Sequence, residues 1–400
     1  VNAVKALDHD RLRILIVNYE HPPIGGGGGV STQTLAKELV RKGHSVHILT
    51  TWMKGFPRES DEEGVRIFRV PVLFRTDLKT ATNISMLSFP ITSIIKGLWL
   101  CRKFKYDIIN THFYAPSGPT GMVLSILTRI PNVLYVHGAD VYDPTRMNKT
   151  PAGKGVLSFL LRQSARLQTV FARSLACQSS DTRRNIERYV AAGKTVRVIP
   201  LPFQKPAHPA ASRAALGMKP KLFYLLSAGR VVKRKGYDYL IRAMRMLDER
   251  IHLIIIGEGP ELAPLSALSK ELGLEKRVRL LGYVEREEDK YRYYRACDMF
   301  VLSSVHEGMG IVVQEAMEFG MPVVAPNHGG QVDLLRDGKN GTLVPPSDPG
   351  ALAAAIDALY RNKRKRELYG RENARLIRNY YVERIAGEFL DWYRGALKRG

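Results

Sequence analysis

The stretch DMFVLSSVHEGMGIVVQEAMEFGMPVVAP, residues 298–326, runs from an apolar segment through a glycine-broken loop and a helical pattern to a second apolar segment. DMFVL and PVVA are short, continuously apolar and bounded by turn residues, as expected for strands buried on both faces. Gly308 and Gly310 are poor helix-interior residues and Gly320 suits a helix end, so the helix is expected from about Gly310 to Gly320. The piece is then a strand, loop, helix and strand, the repeating unit of a parallel sheet. It sets two acids eight positions apart, Glu307 in the loop and Glu315 in the second helical turn. Both are expected near the free amides of the helix start, a place that favours an anion and close backbone approach.

Working outward, the same alternation fills the chain. The first half reads RILIVNY, SVHILTT, GVRIFRV, DIINTH, VLYVHG, LACQSS and VRVIP; the second reads LFYLLSAGR, IHLIIIGEG, VRLLGYV, DMFVLSS, PVVAP and GTLVPP. Apolar strands alternating with helices imply an α/β chain of two doubly wound domains. The Pro- and Ala-rich stretch PLPFQKPAHPAASRAALGMKPK separates the halves and reads as a linker, which places the domains at 1–205 and 206–377. The last helix, about 378–400, carries Tyr381, Ile385, Phe389 and Trp392 at helical spacing and is expected to pack back on the first domain. Ligands of open α/β sheets bind at the carboxyl ends of strands, so a cleft between the halves is the expected site.

The chain has 400 residues and a net charge of +23. The charge is uneven: residues 1–205 hold 29 Lys and Arg against 14 Asp and Glu. Such a surface suits phosphorylated substrates or an anionic membrane, while no nucleic-acid module signature accompanies it. Cys101, Cys177 and Cys297 are far apart and form no metal or redox pair, which fits a reducing, cytoplasmic setting. The longest apolar run, ISMLSFPITSIIKGLWL, is interrupted by Pro90 and Lys96 and is read as no membrane span. The chain starts at Val1 rather than Met, which leaves room for a removed leading segment.

Two loops carry candidate anion sites. NYEHPPIGGGGGVSTQTLAKELVRKGHSVHILTT is a strand exit, a five-glycine loop, a helix and a second strand. Its glycines let backbone amides approach an anion. It is no dinucleotide fingerprint, because Val30 and Ser31 stand where the last glycine belongs and SVHILTTW lacks the ribose-binding acid. It is no P-loop either, since G-x-x-x-x-G-K-[ST] is absent. In SAGRVVKRKGYDYL, Arg230 follows a strand and Lys235 precedes a helix. Two fixed cations beside glycine backbones suit a diphosphate, with Lys233 and Arg234 between them facing solvent.

Taken together, GGGGGVSTQTLAKELVRKGHSVHILT, VHGAD, GRVVKRKGYDYLI, IIIGEGP, HEGMGIVVQEAMEFGMPVVA and GGQVDLLRDGKNGTLVPPSD resemble the retaining glycosyltransferases of the GT-B fold, family 4, group 1 type. The resemblance spans nearly the whole chain in order. It implies two Rossmann-like domains facing a central cleft, and a nucleotide-sugar donor as substrate with no cofactor and no metal. It implies that Glu315 holds the ribose hydroxyls and Glu307 the transferred sugar. The amides at Gly310, Ile311 and Val312, beside Gly308, would meet the distal phosphate. Arg230 and Lys235 would neutralise the leaving diphosphate, and Tyr283 and Val284 would border the base. From the first domain, Gly26, Gly27 and Gly28 would approach the diphosphate and His137 the reacting carbon, while His112 is read as a structural histidine. The family's chemistry is front-face displacement in which a donor phosphate oxygen takes the acceptor's proton. The only D-x-D, Asp8–His9–Asp10, lies ahead of the first strand and is read as exposed. Two departures stand out: IPLPF replaces the family's Asn-Gly-Val-Asp after the last strand of the first half, and Ser303 replaces a common proline.

The acceptor is the less legible substrate. GLWLCRKFKY (97–106) and KGVLSFLLRQSARLQTVFARSL (154–175) mix cations with apolar residues, a pattern that can rest on anionic lipid. The expectation is a hexosyltransferase with a lipid, lipid-linked or phosphorylated acceptor, at the inner face of the cell membrane. A sugar-nucleotide epimerase, which would make a free isomer, and a silent nucleotide-sugar binding scaffold are the alternatives.

Overall fold

The structure is a computed structural model of the chain that describes residues 11–78, 81–138, 141, 156–190 and 193–398. Asp8–His9–Asp10 and Ala139–Asp140 of the VHGAD stretch lie outside the described residues. The chain divides into two compact units, Val1–Gln204 with Val382–Gly400, and Lys205–Tyr381.

The first unit is built on strands β1 (Arg13–Val17), β2 (Ser45–Trp52), β3 (Glu59–Glu62), β4 (Val65–Pro71), β5 (Ile108–His112), β6 (Asn132–Val136), β7 (Ser174–Cys177) and β8 (Val196–Val198). Their order is β3-β4-β2-β1-β5-β6-β7-β8, and all neighbours are parallel except the β3–β4 pair. Strand β3, ESDE, is polar and half-exposed at the sheet edge, so it carries no apolar signal to read from sequence. The helices are α1 (Gly27–Arg41), α2 (Asn83–Phe104), α3 (Gly118–Thr128), α4 (Val156–Phe171) and α5 (Ser180–Tyr189).

The second unit holds β9 (Phe223–Ala228), β10 (Ile251–Ile256), β11 (Val278–Leu280), β12 (Met299–Val301), β13 (Val323–Pro326) and β14 (Gly341–Val344). They form an all-parallel sheet in the order β11-β10-β9-β12-β13-β14. Around it lie α6 (Tyr237–Met244), α7 (Leu262–Glu271), α8 (Glu287–Ala296), α9 (Ile311–Glu318), α10 (Pro349–Arg361) and α11 (Lys363–Leu376). This is the doubly wound order, whose direction reverses between β9 and β12; the first sheet reverses between β1 and β5. The central strands of the second sheet are mostly apolar because helices cover both faces: Leu225, Leu226, Leu253, Ile254, Ile255 and Phe300 are fully buried. The opening stretch folds as read, with Gly310 capping α9 and Gly320 in the left-handed conformation just after it.

Three expectations change. Helix α2 runs unbroken through Pro90 and Lys96. Hydroxyls back-bond to carbonyls around the proline, Ser88 Oγ to Ser85 O at 3.1 Å and Ser93 Oγ to Phe89 O at 2.6 Å, and Lys96 Nζ reaches out to Glu59 at 2.8 Å. The helix is therefore long and apolar enough to cross a membrane by length and composition, yet it packs on α3, β2 and β4. Second, α1 starts inside the glycine loop, at Gly27, rather than after it. Third, the Pro- and Ala-rich segment is no free linker beyond residue 205. Arg213 donates to Ala296 O at 3.0 Å and to Asp298 at 2.6 Å, which pins the segment to the second unit.

The last helix, α12 (Val382–Leu397), follows a 3-10 turn at Ile377–Tyr380 and belongs to the first unit. Its Trp392 Nε1 donates to Ser174 Oγ at 2.9 Å, and Tyr393 OH accepts from Asn110 at 2.6 Å. Tyr381 precedes the helix and donates to Glu318 in the second unit at 2.7 Å.

Candidate active site

At the reversal point of the second sheet, the loops after β9 and β12 meet. Gly229 to Gly236 leaves β9 through a 3-10 turn, Lys233–Lys235, and Gly236 opens α6. Ser303 Oγ donates to Lys235 O at 2.9 Å and Val305 N to Arg234 O at 2.8 Å, so the second loop is laced to the first. The result is an ion pair between residues 72 apart: Lys235 Nζ lies 2.5 Å from Glu307 Oε2. Ser304 Oγ is 3.4 Å from the same oxygen, and Arg234 Nη1 is 3.8 Å from it while donating to His306 O at 3.3 Å. Desolvation acts to raise the Glu307 carboxyl, but Lys235 and then Arg234 outweigh it and hold it below its ordinary value. From the far side, Gly330 N donates to Glu307 O at 2.8 Å, which fixes the acid's backbone. Arg230, at the start of the same loop, is exposed and forms no ion pair among the described residues. Arg234, though still half-exposed, thus lies beside the carboxylate, and the two cations that the structure sets at Glu307 are Lys235 and Arg234 rather than Lys235 and Arg230.

Glu315 points elsewhere. Its Oε1 accepts from Lys290 Nζ at 2.7 Å and its Oε2 from Tyr294 OH at 2.6 Å, both from α8. Burial works to lower the Lys290 ammonium, but Glu315 outweighs it and holds it above the ordinary lysine value; burial pushes the Tyr294 phenol well up. The two acids of the opening stretch therefore occupy separate polar clusters, and neither is shared. Lys290 and Tyr294 were missed in the sequence; their spacing of four on one helix face was the available signal. Gly308 and Met309 lead into Gly310, and the first-turn amides of α9, at Ile311 and Val312, have no intrahelical partners. Tyr283 and Val284 lie in the loop after β11 at the sheet edge, Tyr283 exposed and Val284 half-buried.

In the first unit, the glycine loop already holds a carboxylate. Gly26 N donates to Glu20 Oε2 at 3.0 Å, and a side chain at Gly25 would meet Glu20 Cβ at 2.6 Å. The anion at the start of α1 is Glu20's own, a residue that the glycine pattern did not single out; Gly27 and Gly28 lie in the helix's first turn beside it. His137, after β6, is buried and stacked on Phe113 with ring centroids 4.1 Å apart. Its Nε2 is 3.1 Å from His112 Nδ1, which also lies 3.2 Å from Thr32 Oγ1. Asn110 Nδ2 is 3.1 Å from His112 Nε2. Burial drives the His137 imidazole down to about 3, against a Gln178 hydrogen bond that raises it; burial and then His137 hold His112 well below its ordinary value. Both rings are neutral at physiological pH. His112 is thus part of the same hydrogen-bonded chain as His137.

Comparison with known proteins agrees with this picture. Residues 210–376 match the model of the glycosyl transferases group 1 and residues 25–203 that of glycosyltransferase family 4. An uncharacterized glycosyltransferase of Methanocaldococcus jannaschii is 28% identical, covering 97% of this chain and 99% of its own. The structure is similar to sucrose-phosphate synthase from Thermosynechococcus elongatus, with a TM-score of 0.83 and 22% identity over 98% of this chain and 100% of that one. It is also similar to Anabaena HepE in complex with UDP-glucose, with a TM-score of 0.75 and 20% identity over 96% of this chain and 100% of the other. The fold is the GT-B fold, and the chain belongs to the family 4, group 1 type of glycosyltransferases.

Proposed function

We propose that this glycosyltransferase moves a hexosyl group, with retention and without a metal ion, from a UDP- or GDP-linked sugar to an acceptor hydroxyl. The observation that carries the reading is the 2.5 Å Lys235–Glu307 contact at the reversal point of the second sheet. A cation and a carboxylate held together there match a ligand with negative charge at one end and hydroxyl donors at the other, as a sugar diphosphate has. In this reading Lys235 and Arg230 take the diphosphate with the α9 amides, Glu307 takes sugar hydroxyls and Glu315 the ribose. Neutral His137 faces the transferred sugar as a hydrogen-bonding group. The bond from the anomeric carbon to the diphosphate oxygen breaks, and the acceptor oxygen bonds to that carbon on the same face. The acceptor proton passes to a donor phosphate oxygen. Charge on the leaving diphosphate is greatest in the transition state, so fixed cations lower the barrier.

A phosphorylated or lipid-linked acceptor suits the basic first unit. In this reading the enzyme works in the cytoplasm, peripheral to the inner face of the cell membrane, where the basic first unit suits an anionic surface. The test is thermal stabilisation by UDP, GDP and ADP at one concentration. A nucleotide at about 100 times its Kd adds roughly 2.7 kcal/mol. A preference for one nucleotide is expected, and no shift with any of the three overturns the reading.

A further inference from the structure

We propose that the contacting helices α2, α3 and α4 of the first unit form a docking face for an anionic lipid bilayer. Helix α2 presents Ile84, Leu87, Ile91, Ile95 and Trp99 to solvent at three- and four-residue spacing, with Ile91 and Ile95 65% and 68% exposed. The stripe runs about 22 Å at 1.5 Å per residue. The preceding loop extends it. Leu73 N donates to Ser88 Oγ at 2.9 Å and Thr82 Oγ1 to Phe74 O at 3.1 Å, which ties both exposed side chains to α2. Phe74 adopts a left-handed backbone (φ 53°) that such a residue rarely takes, and it is 70% exposed. Helix α3 packs on α2 and adds exposed Ile126 and Leu127.

Charge selects the occupant. Helices α2, α3 and α4 contain no Asp or Glu, whereas α1, α5 and α12 each carry acids. The same three helices carry Lys96, Arg102, Lys103, Arg162 and Arg166, and Lys105 and Arg129 follow α2 and α3. Lys96 Nζ and Lys103 Nζ lie 4.2 Å and 4.6 Å from the Trp99 ring centroid, an aromatic set among cations as at a membrane interface. Glu59 of β3 pairs with Lys96 at 2.8 Å, which leaves Arg102, Lys103, Lys105, Arg129, Arg162 and Arg166 to set the sign. A second copy on a two-fold axis would set these acid-free helices against themselves, cation to cation. An anionic surface complements them. Because α2 packs along its length on β2, β4 and α3, it lies in the interface rather than crossing.

The inference rests on the membrane-peripheral part of the proposed function and not on its chemistry. The test is co-sedimentation of the full chain with vesicles of phosphatidylglycerol and phosphatidylcholine in equal parts, or of phosphatidylcholine alone. Binding to the anionic vesicles should exceed binding to neutral ones by about tenfold or more at low salt and fall at high salt. The triple variant Leu87→Ser, Ile91→Ser, Ile95→Ser should abolish it, while nucleotide stabilisation is unchanged and reports the fold. Absence of binding to anionic vesicles, binding unaffected by the triple variant, or a stable dimer that the same substitutions dissolve would each overturn the proposal. Nucleotide stabilisation that fails while vesicle binding holds would instead overturn the donor reading.

Discussion

At the residue scale, Lys235 and Glu307 are mutually dependent. Lys235 is nearly buried, and its ammonium and Glu307 share one oxygen at 2.5 Å with Arg234 behind. Removing either leaves a poorly solvated charge, and in the proposed reaction it also removes a group most needed in the transition state. Lys235→Ala and Glu307→Ala should each lower kcat by roughly 100-fold or more while the protein stays folded. Circular dichroism and steady-state kinetics on the same preparations check this, and near-normal turnover in either variant would move the reaction away from this loop pair.

At the scale of elements, Gly236 shows why the loop after β9 can meet the loop after β12. Its φ is 60°, and a side chain there would stand 2.3 Å from Ser303 O. Only glycine combines that backbone with that approach. Gly236→Ala should destabilise the second unit by about 1–3 kcal/mol, read by urea unfolding, and weaken nucleotide stabilisation by moving Lys235. Stability and nucleotide response both unchanged would mean that this junction does not set the cation. The same scale shows what was legible. The Gly-to-Gly reading of α9 held because glycine punctuation is local. Pro90 misled because its neighbours' hydroxyls, which accommodate it in α2, are not an obvious feature of an apolar run. The glycine loop misled in part because Glu20, six residues ahead of Gly26, folds back onto it.

At the scale of the molecule, the first unit buries neutral histidines. Burial and then Arg66 bring His47 down to about 4, and burial brings His137 to about 3, with His112 also well below the ordinary value. An unfolded histidine titrates near 6.5, so between that pH and the folded values the unfolded chain binds more protons. Stability from these groups is complete above about pH 6.5 and falls as pH drops toward 4. The Tm should be lower at pH 5 than at pH 7 by about 5 °C or more, measured by scanning calorimetry. A Tm that does not change between those pH values would contradict buried neutral rings. The carboxylate Glu62, held near 2 first by its His21 hydrogen bond, adds its loss only at lower pH.

The alternation of apolar runs with helical patterns determined, by itself, that two parallel sheets would form, because burial on both faces is written in consecutive residues. Composition likewise determined that the first half would be strongly basic. Which side chains meet was decided only by the tertiary structure. Lys235 and Glu307 are 72 residues apart, and Lys290 and Glu315 are 25 apart. They pair because the sheet order sets β9 beside β12 and α8 beside α9's buried face, and no local pattern encodes that adjacency. The exposed apolar stripe of α2 needed both: the residues were legible, but only packing showed which of them remained outside.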